Sequence, residues 1–162
     1  MITLQKMNEE EFRAFRAFSA SDYAVDLRKG RDISPEQALK EAEEEFDEDL
    51  PDGLETKDSF VMNIVDANKN RVGWIWFYYF ADEESDKMQV FLADLLIFES
   101  ERRQGFASAA INKMNTLAKK DGCSSSLLFV WDHNPGGMRL YEKCGYKPHS
   151  RGRGGTYMVK EL

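Results

Sequence analysis

Apolar residues in the first third of the chain recur every three or four positions, which is the spacing of one face of a helix. This spacing predicts an amphipathic helix over residues 9–29, with the following residues on its buried face: Phe12, Phe15, Phe18, Tyr23 and Leu27. A second, acidic helix is predicted to about residue 50. It begins at Ser34, because Pro35 and Gln37 then take the places of a first-turn proline and a capping-box residue.

From residue 59 the pattern changes to short, almost unbroken apolar runs, which are typical of strands buried on both faces. Small and apolar residues at helical spacing predict a helix over residues 105–121, and a shorter helix is expected from Asn134 to about Cys144. Residues 147–155, which are rich in arginine and glycine, predict a loop. The apolar runs predict strands over residues 60–65, 72–80, 90–98, 126–131 and 156–160.

With one further strand placed before the first helix, the predicted order of elements is β-α-α-β-β-β-α-β-α-β. This order indicates an α+β fold with mixed α/β layers, in which helices cover a sheet. A chain of 162 residues with 42% hydrophobic content is long enough to bury one sizeable core. No internal repeat and no long linker divides it, so a single domain over residues 1–162 is expected.

Charge and composition exclude several classes of partner. The formal net charge of −7 opposes binding to nucleic acid and to acidic membranes, because phosphate contacts depend on clustered lysine and arginine. No apolar run approaches the roughly 20 residues of a membrane helix, and the N-terminus lacks the order of a signal peptide. We therefore expect a cytoplasmic protein. Cys123 and Cys144 have no neighbours at metal-ligand spacing, so we expect reduced, buried thiols and no metal site.

The segment from Asp94 to Ala107 has the layout of an anion site. A buried strand leads through a short loop directly into a helix, whose first N–H groups carry the positive end of its dipole. Gly105 and Ala107 let a phosphate approach closely, and Arg102 and Arg103 add positive charge. On this pattern alone, an ordinary turn between a strand and a packed helix stays open.

Two motifs give this segment a more specific interpretation. The sequence Arg-x-x-Gly-x-Ala at residues 102–107, eight residues after Asp94, resembles the acetyl-CoA pyrophosphate motif of the GNAT superfamily of N-acetyltransferases. Asn134, followed by Leu-Tyr-Glu-Lys-Cys-Gly-Tyr at residues 140–146, is similar to the second signature of that family. The two motifs stand in the family's order, and the resemblance covers about residues 72–162.

The resemblance implies a GNAT-like fold, in which helices flank a central, mostly antiparallel sheet. The sheet is expected to splay between the strands at about residues 90–98 and 126–131. Residues 1–58 are then the acceptor-side helices, and residues 59–162 are the sheet and the acetyl-CoA-binding part. Residues 50–56 and 72–76 resemble more loosely an uncharacterised bacterial branch of the family.

For the site, the resemblance implies three sets of contacts with acetyl-CoA as co-substrate, without a metal. The pantetheine arm is expected to pair with the main chain of Leu95, Leu96 and Ile97 like an added half-strand. One of these N–H groups also polarises the thioester carbonyl. Asn134 contacts the pantetheine or the lower phosphate. The pyrophosphate lies beside Arg102 against the main-chain N–H groups of Arg103, Gln104, Gly105, Phe106, Ala107 and Ser108.

Acetyl transfer to an amine needs a base and an acid. An alkylammonium must lose a proton before its nitrogen attacks, and the departing thiolate gains from a proton donor. Tyr141, which the resemblance places near the sulfur, is the candidate general acid, although such a tyrosine often only packs. Asp94 is the candidate base, directly or through water, and its alternative is to orient a neighbouring backbone segment or to pair with an arginine. Phe129 stands where some relatives carry a catalytic glutamate, which favours Asp94 or water.

Residues near Tyr141 also have structural interpretations. Asn134 before Pro135 is the pattern of a helix N-cap, which is compatible with a cofactor contact. His133 is expected in an exposed turn rather than as a base. The two glycines after Pro135 lower the helicity by roughly 1 kcal/mol each relative to alanine, so the helix that carries Tyr141 is expected to be mobile without ligand.

The expected function is transfer of an acetyl group from acetyl-CoA to a primary amine, by direct attack in a ternary complex. The alternative is a non-catalytic acyl-CoA-binding or protein-interaction module with the same fold. Eleven acidic residues between residues 36 and 58 are balanced only by Lys40 and Lys57. If they lie at the acceptor site, a cationic small-molecule or peptide amine is expected, and the alternative is a solvated helix face. A homodimer stays open.

Overall fold

The computed structural model describes all 162 residues of the chain. They form four α-helices, seven strands and two short 3₁₀ turns. The chain divides into two compact units. Met7–Ser59 forms one unit, and Met1–Lys6 together with Phe60–Leu162 forms the other.

The first unit consists of two helices, and local signals set where each begins. Helix α1 spans Glu9–Gly30 and begins with a reciprocal capping box, in which Asn8 and Glu11 each accept the other's main-chain N–H. Helix α2 spans Pro35–Asp49 and begins after Ser34, whose hydroxyl accepts a first-turn N–H as predicted. Both helices therefore confirm the expected boundaries.

Aromatic contacts and an ion pair join α1 to α2. The rings of Phe15 and Phe46 lie with centroids 6.1 Å apart, and Arg16 pairs with Asp47 at 2.7 Å. The expectation that Phe18 lies on the buried face is wrong, since Phe18 is 48% exposed. Small residues complete the buried stripe of α1 in its place: Ser19, Ala20 and Ala24.

The second unit is built on a seven-stranded sheet with the order β1-β2-β3-β4-β5-β7-β6. Strands β4 and β5 run parallel, whereas the pairs β1–β2, β3–β4, β5–β7 and β6–β7 are antiparallel. This mostly antiparallel sheet confirms the predicted α+β class. The strands and helices are β1 (Thr3–Lys6), β2 (Ser59–Val65), β3 (Arg71–Ala81), β4 (Met88–Ile97), α3 (Phe106–Lys120), β5 (Ser125–Trp131), α4 (Pro135–Lys143), β6 (Lys147–Gly152) and β7 (Gly155–Glu161).

One face of this sheet packs against α3 to form the main core of the unit. Alternate residues of the central strands, such as Ile75 and Leu128, are buried together with Ile111 and Met114 of α3. The intervening residues of β3, which include Trp74, point to the opposite face. The two cysteines are free and buried, as expected. None of the four helices combines the length and the apolar character needed to span a bilayer.

Strand β6 was not expected, because the residues that form it were predicted to be a loop. It pairs with β7 at the edge of the sheet, and the hairpin turns at Gly154, whose φ is 76°. Five of its six residues are exposed, so the strand has no buried face to impose an apolar alternation. The pattern of apolar residues therefore could not reveal it.

Candidate active site

Strands β4 and β5 pair only over the first part of β4. Their parallel register begins at Gln89 and Ser125 and ends at Leu92 and Leu128. The register of β4 against β3 skips the next residue, Ala93, which forms a β-bulge. Beyond the bulge β4 stays paired with β3 on one edge and has no partner strand on the other. The expected splay is therefore present, and it opens toward the carboxyl ends of both strands.

The loop after β4 ends in a helix N-terminus that no side chain caps. Arg103 and Gly105 both adopt positive φ, at 66° and 83°, which turns the chain sharply into α3. The N-cap residue is Gly105, which has no side chain to accept a hydrogen bond from the first turn. Apart from Gly105 and its two chain neighbours, no heavy atom lies within 4 Å of the position that a Cβ at Gly105 would occupy. The positive end of the 15-residue helix α3 thus faces open space.

The side chain of Arg102 joins this loop to the end of β4. Its Nε donates a hydrogen bond to the carbonyl oxygen of Ile97, at 3.0 Å, in a partly buried setting. The bond joins the start of the loop to the last residue of β4. The guanidinium charge is therefore fixed at the end of β4, where it adds to the positive potential.

Asp94 lies directly after the bulge, on the face of the sheet opposite the α3 core. It stands across from Trp76 in the register of β3 and β4. Its Oδ2 accepts a hydrogen bond from the indole Nε1–H of Trp74, at 3.0 Å. Asp94 therefore contacts the side chain of Trp74 on the neighbouring strand.

Helix α4 starts with the N-cap that the sequence predicts. The Oδ1 of Asn134 accepts the N–H of Gly137 at 2.9 Å, and Pro135 occupies the first helical position. His133 is exposed and stacks on Trp131, with ring centroids 5.5 Å apart, which confirms the expected turn position.

Tyr141 of α4 is half-buried, and its hydroxyl makes no hydrogen bond with another protein group. Its ring meets Tyr146 edge-on, with centroids 6.2 Å apart. Burial raises the pKa of Tyr141 to about 12, and the negative charge of Asp94 adds to the shift. The phenol is therefore protonated throughout the physiological pH range and is able to donate a proton.

Tyr146 anchors the turn after α4, a role that the sequence did not indicate. Its hydroxyl lies 2.6 Å from the Ser126 hydroxyl and accepts from the Asn115 side-chain amide at 3.1 Å. All three residues are buried. The amide–phenol–hydroxyl group spans α3, β5 and the turn, and so fixes the ring on which Tyr141 packs.

We expect Tyr146→Phe to lower the free energy of unfolding by about 1–3 kcal/mol, because the buried Ser126 and Asn115 side chains each lose a partner. Urea denaturation monitored by circular dichroism measures this change. Tyr157→Phe is the matched control, because the Tyr157 ring is 38% exposed and should leave stability within about 0.5 kcal/mol of the wild type. Equal stability of the two variants would contradict an anchoring role for the phenol.

The carboxyl ends of β4 and β5 bring the predicted residues to one edge of the sheet. The loop with Gly105 follows β4, and the helix with Tyr141 follows β5. Between them lies the unpaired edge of residues 94–97. This arrangement offers an extended main-chain edge, a positive helix end and a neutral phenol, which suits a ligand with a diphosphate and an amide-bearing arm.

The comparison with known families decides the assignment. The model of the acetyltransferase (GNAT) family matches residues 13–146. The chain belongs to the GNAT acetyltransferase family. This acetyltransferase is 30% identical over 146 residues to YycN, an uncharacterised N-acetyltransferase of Bacillus subtilis, covering 90% of this chain and 92% of YycN. It is 29% identical over 144 residues to YdgE of the same bacterium, covering 89% of this chain and 90% of YdgE.

Solved structures agree with the family. The crystal structure of YycN matches this N-acetyltransferase with a TM-score of 0.84 at 29% identity, covering 94% of this chain and 96% of the other. The spermidine N-acetyltransferase of Vibrio cholerae, solved with CoA and spermine, matches with a TM-score of 0.64 at 18% identity. This match covers 99% of this chain and 95% of the Vibrio cholerae chain. At that identity the similarity extends to the fold alone.

Proposed function

We propose that this N-acetyltransferase transfers the acetyl group of acetyl-CoA directly to a primary amine within a ternary complex. The observation that carries the proposal is the parting of β4 from β5 after Leu92, beside the uncapped start of α3. An unpaired strand edge and an open helix N-terminus meet there. They match the amides of pantetheine and the diphosphate of CoA respectively.

The donor is held mainly by the main chain. The N–H groups of the loop and first turn, from Arg103 to Ser108, bind the diphosphate, and Arg102 adds charge. The pantetheine arm pairs with Leu95, Leu96 and Ile97, and Asn134 contacts it from α4 while capping that helix. The open space at Gly105 supports this assignment, because a bulky side chain there would occupy the room that the diphosphate needs.

The reaction proceeds by attack of a neutral amine on the thioester carbonyl. A C–N bond forms, and a main-chain N–H of β4 stabilises the negative charge on the carbonyl oxygen. The proton of the amine passes to Asp94, directly or through water. The C–S bond then breaks, and Tyr141 protonates the departing thiolate. Asp94 then loses its proton to water and the Tyr141 phenolate regains one, which restores the carboxylate and the phenol, and the products are an amide and free CoA.

Direct transfer is supported by the state of the cysteines. Cys123 and Cys144 are buried, and burial raises the pKa of the Cys123 thiol, which leaves little thiolate to form an acyl-enzyme. Initial-rate plots with both substrates varied should therefore intersect rather than run parallel. Acetyl-CoA alone should leave the enzyme unacetylated, as measured by intact-protein mass spectrometry.

We further propose that the acceptor carries positive charge besides its reacting amine. The Met7–Ser59 unit holds 17 acidic and 7 basic residues, whereas the rest of the chain holds 12 acidic and 15 basic residues. A unit with this net charge of −10 attracts cations over distances of about 10 Å at moderate ionic strength. Polyamines and lysine-rich peptides fit this field, and spermine is present in the structure of the Vibrio cholerae enzyme.

A thiol-release assay with acetyl-CoA tests both parts of this proposal. Spermidine should give a kcat/KM at least about tenfold above that of glutamate at low ionic strength, because the acidic unit attracts the first and repels the second. The ratio should fall severalfold when the salt is raised from about 0.05 M to about 0.5 M. Turnover of no amine in a broad set, with acetylated product sought by mass spectrometry, would contradict the enzymatic function. A ratio near one would contradict only the cationic acceptor.

A further inference from the structure

Lys160 is a charged residue on the core-facing side of β7. Met158, two residues earlier, is fully buried in the core, and the alternation of a strand places Lys160 on the same face. Lys160 is itself half-buried. Its ammonium donates a hydrogen bond to the carbonyl oxygen of Cys144, with 2.7 Å between Nζ and O. Charge-assisted bonds of this length are among the stronger contacts in proteins.

The carbonyl that Lys160 binds belongs to the C-cap residue of α4. The other carbonyls of this end, from Leu140 to Glu142, already accept main-chain N–H groups of the turn. The ammonium therefore adds a donor at the end of the helix, where the dipole is negative and a cation is favourable. The following residue, Gly145, has a φ of 93°, and a Cβ there would lie 3.4 Å from Cε of Lys160. The turn thus leaves room for the lysine.

Helix α4 packs on the core only through partly buried side chains, those of Met138, Leu140 and Tyr141. It has nine residues, two of its first three are glycines, and none of its side chains is fully buried. Short helices with such sequences are marginal by themselves. Its orientation therefore also depends on its ends, which are held by the cap of Asn134 at the first turn and by Lys160 and Tyr146 after the last turn.

The register of the sheet places these two C-terminal anchors side by side. Lys160 lies opposite Ser126 in the pairing of β7 with β5. Ser126 contacts the Tyr146 hydroxyl, and Lys160 contacts the carbonyl of Cys144, two residues earlier in the same turn. The paired residues Ser126 and Lys160 thus hold the segment that directly follows Tyr141.

We propose that Lys160 is a positioning residue for acetyl transfer, which acts by holding α4 so that the Tyr141 hydroxyl meets the departing sulfur. The inference rests on the proposed role of Tyr141 as general acid. Lys160 does not touch the substrates. Its ammonium fixes the C-terminal end of the helix from which the phenol projects, and small displacements of a proton donor cost large factors in rate.

Lys160→Met tests this inference, because methionine keeps an unbranched apolar stem and loses the charge and the donors. We expect kcat to fall about tenfold, with KM for acetyl-CoA within about twofold, since the donor is held chiefly at the other end of the site. Lys160→Arg restores the charge and should return kcat to within about threefold of the wild type. Lys147→Met, at an exposed lysine of the neighbouring strand, is the matched control and should leave both constants unchanged.

A double-mutant cycle separates positioning from a general effect on the fold. In the Tyr141→Phe background, Lys160→Met should lower kcat by less than about twofold, because the proton donor is already absent. The inference about Lys160 would be overturned if Lys160→Met lowered kcat by the same factor in the wild-type and Tyr141→Phe backgrounds. It would also be overturned if Lys160→Met kept the wild-type kcat while Tyr141→Phe lowered it. Wild-type kcat in Tyr141→Phe would overturn the role of the general acid as well. If Lys160→Met does not fold, Lys160→Gln carries the same expectations.

Discussion

Replacing Tyr141 by phenylalanine should lower kcat by about 10²-fold, the usual contribution of a positioned proton donor. The phenol is the neutral donor on the helix that follows β5, and its hydroxyl has no protein partner to lose. The substitution therefore removes the proton without leaving a buried polar group unsatisfied. KM for acetyl-CoA should change little. Steady-state thiol release, with both substrates varied, measures the two constants.

The pH profile gives a second measure of the same role. A pKa of about 12 keeps the phenol protonated while the acceptor amine loses its proton, so kcat/KM should rise with pH and show no falling limb below about pH 11. Tyr157→Phe removes an exposed hydroxyl and should retain full activity. A non-catalytic acyl-CoA-binding module would show no turnover in the wild type. A Tyr141→Phe enzyme with wild-type kcat would show that water, rather than Tyr141, protonates the thiolate.

Local signals in the sequence predicted most of the fold. The unbroken apolar run of β3 predicted a strand buried on both faces, and residues Val72 to Phe77 are all buried. Asn134 before Pro135 predicted an N-cap, and the helical spacing predicted that α3 begins near Gly105, which is its N-cap residue. These features succeeded because each is decided by residues close together in the chain.

Features that depend on pairing between distant segments were not predictable in this way. The contact of Lys160 with Cys144 and that of Tyr146 with Ser126 both follow from the register of β5 against β7. One sequence contains no direct record of that register. A lysine alternating with Met158 was the only available signal, because it places a charge on a core-facing position.

Placing an aspartate at Gly105 should weaken CoA binding by about 10²-fold. The carboxylate would stand at the uncapped N-terminus of α3, where the diphosphate is proposed to bind. Two like charges about 5 Å apart repel by roughly 3 kcal/mol at an effective dielectric constant of about 20, and each 1.4 kcal/mol is about a factor of ten. Aspartate tolerates positive φ better than most residues. Titration calorimetry with CoA measures the change.

Gly122→Asp is the matched control, because Gly122 lies just after the other end of the same helix. It also has positive φ, at 97°, and no atom within 4 Å of its Cβ position, so both variants carry similar backbone strain. Only Gly105→Asp should lose CoA affinity. Acetyl-pantetheine, which lacks the diphosphate, should serve both variants equally well as donor. The two variants share the added charge and the backbone strain, and acetyl-pantetheine tests the pairing of the pantetheine arm without the diphosphate. Equal CoA affinities of the two variants would therefore contradict a role for the N-terminus of α3 in binding the diphosphate.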